Sequence, residues 1–173
     1  MKNSYGFIHD KLDVKILILL VLRLQTEPIS IEELTELTMC DEGVTYFDFM
    51  ECAADLVKTE HIKLKEDMYT ITEKGVRNGT LTEKSLPPTV RARAEDSVLT
   101  YRSKKNRNAM IKTKNSVNRD GGCVVNLSLS DGIGEIVSVN LLAMSERQAR
   151  IVEQRFREKA ESVYKMLISM LLE

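Results

Sequence analysis

The side chains best suited to holding an anion are crowded into one stretch. Residues 84–119 carry ten Lys/Arg against two Asp/Glu. Arg91, Arg93, Arg102, Lys104, Lys105, Arg107, Lys112 and Lys114, continued by Arg119, are therefore candidate nucleic-acid contacts, since cations that neutralise phosphates release condensed counterions. The flanks have the opposite sign, with nine Lys/Arg against sixteen Asp/Glu in residues 1–83 and six against eight in residues 120–173, so the chain as a whole carries only −1. The strip reads equally as an anion-binding surface and as the complement of the protein's own acidic part.

Other chemistry is sparse. Cys40, Cys52 and Cys123 form no Cys-x-x-Cys pair, and His9 and His61 add no metal-ligand spacing, so no metal or other cofactor is expected. All three cysteines read as reduced thiols in a cytoplasmic protein. Gly132-Ile133-Gly134 lacks the rest of a phosphate loop and marks a turn. Cys52 and His61 lack a third group to orient them, and no enzyme activity is expected. The longest apolar run, Ile16 to Leu22, is seven residues, too short to cross a bilayer, so no membrane partner is expected.

Most of the chain reads as regular elements. Asp10 and Asp13 suit the start of a helix running to about Gln25. Because it is apolar nearly all round, it is either central or half-covered by a second chain. Ser30 with Glu33 is a capping box that starts a helix at Ile31. Asp41-Glu42-Gly43 ends it, and another helix runs from about Val44 to about Thr59. Ile62 and Leu64 alternate with Lys63 and Lys65, and Tyr69 and Ile71 with Thr70 and Thr72, giving a hairpin joined at Glu66-Asp67. A short helix weakened by Gly75 and Gly79 follows. A basic helix then spans Thr89 to about Asn108.

Beyond it, residues 111–141 alternate as a three-stranded meander, with turn signals at Asp120-Gly121-Gly122 and Asp131-Gly132. Ser145 and Gln148 open a final helix. Its apolar positions from Ala149 to Met170 form a heptad-like seam. At 1.5 Å per residue this helix, about 40 Å long, is longer than a small sheet needs.

Helix, turn, helix and hairpin in that order describe a winged helix-turn-helix. "MYTITEKG" resembles the end of the second wing strand in many bacterial winged-helix regulators. Over nearly its full length the chain resembles a bacterial winged-helix family with an added C-terminal α/β unit, a domain of unknown function. The stretches that carry the likeness are "YGFIHDKLDVKILIL", "DEGVTYFDFMECAADLVKTEHI", "YTITEKGVRNG" and "SLPPTVR". The resemblance implies transcriptional regulation, and brings no ligand and no catalytic residue.

The expected fold is thus α+β. It comprises a winged helix-turn-helix domain at 1–86, a basic linking helix at 87–108, and a three-stranded antiparallel sheet packed with a long C-terminal helix at 109–173. A homodimer is expected, with double-stranded DNA as its leading further partner. The second helix of the motif argues against ordinary base reading. With Phe49, Ala53 and Leu56 inward, Asp48, Glu51 and Asp55 stand outward as an acidic stripe beside Phe47 and Met50. Those five residues make a candidate protein-interaction face, and the competing expectation is a module that keeps the fold without reading DNA. The wing contributes Lys63 and Lys65.

Overall fold

A computed structural model describes residues 8, 10–117 and 122–172. The expected turn at Asp120-Gly121, with Arg119, lies outside the described residues, as does most of the lead-in. The fold is α+β, and the chain divides into two compact units, 1–102 and 103–173. The division falls inside the basic helix α5 (Pro88–Met110).

The first unit is built around α1 (Lys11–Leu24). Asp10 caps it by accepting from the Asp13 amide at 2.9 Å. Every residue from Ile16 to Leu22 is buried, so this chain alone covers the helix. Fully burying a Leu or Ile stabilises by about 2 kcal/mol, which makes α1 the main contributor to this core. A three-stranded sheet and the other helices of this unit surround it. β1 (Ile29–Ser30) leads into α2 (Ile31–Thr38), whose capping box forms as expected, with Glu33 N to Ser30 Oγ at 3.3 Å and Ser30 N to Glu33 Oε2 at 2.9 Å. α3 (Tyr46–Lys58) is capped by Thr45 and buries Phe49, Cys52, Ala53 and Leu56.

The hairpin β2 (Ile62–Lys65) and β3 (Met68–Ile71) pairs Leu64 with Tyr69, and β1 adds to β3 to give the order β1-β3-β2. The two-residue β1 was not anticipated, since Ile29-Ser30 is too short to show a period. α4 (Glu73–Thr82) follows. Its glycines answer to packing rather than merely weakening the helix. Gly75 and Gly79 are buried, and a Cβ on Gly75 would lie 2.1 Å from the His61 carbonyl oxygen.

Pro88 occupies the first position of α5, where its missing N–H costs nothing. Val90, Ala94 and Val98 are buried in the first core, so the first half of this helix is part of that unit rather than a linker.

The second unit is the meander β4 (Ile111–Val117), β5 (Cys123–Ser130) and β6 (Glu135–Ala143), in the order β4-β5-β6, with α6 (Glu146–Leu172) on its apolar face. Val125, Leu127 and Leu129 are buried beneath Ala149, Phe156 and Ala160. The Ser145 cap accepts from the Gln148 amide at 3.2 Å, but the Gln148 side chain returns to the Met144 amide instead of completing the box on Ser145.

α6 is not one straight rod. Lys159 has φ −129° and ψ 17°, and the Arg107 guanidinium reaches the Glu158 carbonyl at 3.2 Å as well as the Glu161 carboxylate. A side chain competing for a helix carbonyl is a recognised cause of a kink.

Candidate nucleic-acid interface

The basic strip is not one free surface. At about 100° per residue along α5, its cations point to several sides. Arg93 Nη1 lies 2.6 Å from Oδ2 of the buried Asp41. Asp41 Oδ1 also accepts from the Gly43 amide, so Arg93 holds the turn that ends α2. Arg107 binds Glu161 through two bonds of 2.6 and 2.8 Å, which keeps the Glu161 carboxyl below its usual range. Arg91 is half-buried, with its Nε lacking a hydrogen bond.

Arg102, Lys104 and Lys105 are exposed. Lys112 and Lys114 stand on the polar face of the second sheet, beside Asn126, Ser128 and Asn140, over a shallow hollow of 320 Å³. Of the eight cations named from sequence, Arg93 and Arg107 are thus taken by structural ion pairs.

The acidic stripe on α3 is also placed differently from the sequence expectation. Asp48, Glu51 and Asp55 face lysines of α1. Lys11 Nζ is 2.6 Å from Glu51 and 3.9 Å from Asp48, and Lys15 Nζ is 2.8 Å from Asp55. The hydrogen bond from Lys15 lowers the Asp55 pKa, and the pairing raises that of Lys15. The acids therefore carry their own counter-ions. Tyr46 (59% exposed), Phe47 (75%) and Met50 (37%), with Ala54 beside them, form an exposed apolar strip on α3. The ion-paired acids stay partly exposed, with the Glu51 side chain at 44% and that of Asp55 at 49%, so they border this strip.

A second basic surface lies in the first unit. A concave region of 940 Å³ opens between the end of α3, the hairpin and α4. Its rim carries Lys63, Lys65, Lys74 and Arg77 against Glu60 and Glu73, over a floor that includes Val57, Ile62 and Ile71. Lys74 donates to the Thr59 carbonyl at 2.8 Å, which fixes its stem beside the hairpin. His61 sits behind this surface, with its Nδ1 2.8 Å from Thr59 Oγ1 and its Nε2 2.8 Å from Asn78 Nδ2. Burial, with Lys74 nearby, lowers its pKa from 6.5.

The sequence reading found Lys63 and Lys65 but not Lys74 and Arg77. The spacing of three that puts this last pair on one face of α4 was the available signal.

Cys52 does not meet His61. Its thiol donates to the Lys11 carbonyl at 3.4 Å, and burial pushes its pKa up. Among the described residues no cluster of His, Cys, Asp or Glu has metal-binding geometry, and no helix is long and apolar enough to cross a membrane.

A family model described as a domain of unknown function, DUF4364, matches residues 14–171. The chain belongs to that family. No curated protein and no solved structure matches it.

Proposed function

We propose that the first unit is a winged-helix module that binds double-stranded DNA in transcriptional control, and that it takes the phosphates on the hairpin and α4 rather than on α5. The observation that carries this reading is the convergence of Lys63, Lys65, Lys74 and Arg77 on one concave surface beside α3. Backbone contacts of this kind position a protein without specifying sequence. Lys11 and Lys15, set beside the acids of α3, lessen the repulsion that the sequence suggested. The exposed strip of α3 then offers bases mainly apolar contact, as with thymine methyl groups, together with the Tyr46 hydroxyl.

A second reading is a protein-interaction module. It is favoured by the same strip, since Tyr46, Phe47 and Met50 make an apolar centre with Lys58 at its edge, the usual anatomy of a protein interface.

Fluorescence anisotropy on a mixed-sequence duplex, titrated from roughly 50 to 200 mM salt, separates these readings. Replacing Lys63, Lys65, Lys74 and Arg77 by Ala should lower the salt slope by about 3 to 4 units. The triple change Arg102→Ala, Lys104→Ala, Lys105→Ala should leave it nearly unchanged. No measurable affinity at the lowest salt, or a slope lost only in the α5 variant, would sink the proposal.

A further inference from the structure

We infer that the second unit self-associates through α6, each helix lying in the apolar groove that the other copy leaves open beside β6. The inference concerns a different unit and stands independently of the DNA reading.

The groove follows from geometry. A helix is about 10 Å across and strands are about 4.8 Å apart, so one helix covers roughly two strands. α6 packs mainly on β4 and β5, leaving β6 half-covered. The result is an open groove of 440 Å³, with Leu127, Val139 and Leu141 on its floor and Val152, Phe156 and Val163 on its wall.

The helix supplies what would fill such a groove. Val152, Phe156, Lys159, Val163, Met166 and Met170 recur in the sequence at alternating spacings of four and three, the period of a helix-pairing seam, and the kink at Lys159 bends this seam between Phe156 and Val163. Met166 is 60% and Met170 68% exposed, and Leu171 and Leu172 beyond them are more exposed still. One strip therefore carries both the knobs and part of the hole, which is the self-complementarity that a two-fold interface requires.

Charge favours a second copy over another occupant. Glu158 and Lys165 flank the strip on its outer side, both exposed. In an antiparallel pair with its axis between residues 161 and 162, Glu158 of each copy faces Lys165 of the other, so two opposite-charge pairs form. Lys159, which has no ion pair among the described residues, is then a single polar residue inside the seam, a device that fixes register. A small apolar anion would use Lys159 and Arg155, but both contribute little more than their stems to the lining.

Sedimentation equilibrium on the full chain at micromolar concentration tests this. The wild type should run near twice 19.7 kDa. Met166→Glu with Met170→Glu, at exposed positions, should give a folded monomer by circular dichroism. Glu158→Lys and Lys165→Glu should each weaken the dimer on the order of tenfold, and mixing the two variants should restore it as a heterodimer. A wild-type monomer overturns the inference, and one that takes up anilinonaphthalene sulfonate in the groove replaces it with a small-ligand site. A folded Met166/Met170 variant that stays dimeric also overturns it. Single reversals that mixing does not rescue overturn the antiparallel arrangement.

Discussion

Arg93 and Asp41 are joined across 52 residues of chain by a 2.6 Å ion pair, and the Asp41 side chain is wholly buried. The carboxylate also holds the Gly43 amide at 2.9 Å, so one charge fastens the α2–α3 turn to α5. Removing the guanidinium leaves a buried charge without its counter-ion. Arg93→Ala should therefore cost about 3 kcal/mol in chemical denaturation. Arg102→Ala, at an exposed position, should stay within about 0.5 kcal/mol. Equal losses in the two variants would mean that the pair contributes nothing beyond a surface contact.

Gly75 and Gly79 should respond differently to the same substitution. A Cβ on Gly75 meets the His61 carbonyl at 2.1 Å and the Ile71 side chain at 2.8 Å, and neither can retreat without moving β2 or β3. On Gly79 it meets the Leu19 Cβ at 3.3 Å, a contact that a shift of a few tenths of an ångström between α4 and α1 would relieve. Gly75→Ala should destabilise by about 2 kcal/mol despite the better helix propensity, whereas Gly79→Ala should fall within about 1 kcal/mol of wild type. Thermal unfolding of the two variants side by side checks the contrast.

The elements themselves were legible because each carries a local signal. The Ser30–Glu33 box, the alternation around Glu66-Asp67 and the all-round apolar run of α1 each name their structure within a few residues. What faces what was not legible. The acids of α3 looked outward on a lone helical wheel, and only the fold brings Lys11 and Lys15, some 40 residues away, onto them. The cations of α5 looked like one strip because they are adjacent in sequence. Their partners Asp41 and Glu161 are distant, and spacing carries no trace of such pairs. Lys74 and Arg77 carry little sequence signal for the converse reason, since they are two isolated cations, Lys74 next to Glu73, and join Lys63 and Lys65 only through the packing of α4 on the hairpin.

His61 should make the first unit sensitive to mild acid. Both ring nitrogens are engaged, and an imidazole that accepts from Asn78 must be unprotonated on Nε2. Its folded pKa lies below the ordinary 6.5, with burial the chief cause. The unfolded chain thus takes up the proton first. The stabilisation is complete above pH 6.5 and is lost as the pH falls through 6.5 towards the folded value. Between pH 7.5 and 5.5 the wild type should lose more thermal stability than His61→Gln, in which no group titrates at this site. Parallel losses in both proteins would show that other groups set the pH dependence.

The hairpin tip ties stability to the proposed interface. Glu66 and Asp67 have φ of 52° and 60°, so two ordinary residues occupy the left-handed region that the central pair of a type I′ turn requires. Asn followed by Gly adopts that geometry with less strain, so Glu66→Asn with Asp67→Gly should stabilise the unit by about 1 kcal/mol. The same change removes two carboxylates from the tip, one of them 3.8 Å from Lys65. If phosphates lie along Lys63 and Lys65, DNA affinity should rise together with the melting temperature, and most at low salt, where exposed charges are least screened. A higher melting temperature with unaltered affinity would place the tip away from the phosphates, and would count against the hairpin surface while leaving the turn geometry intact.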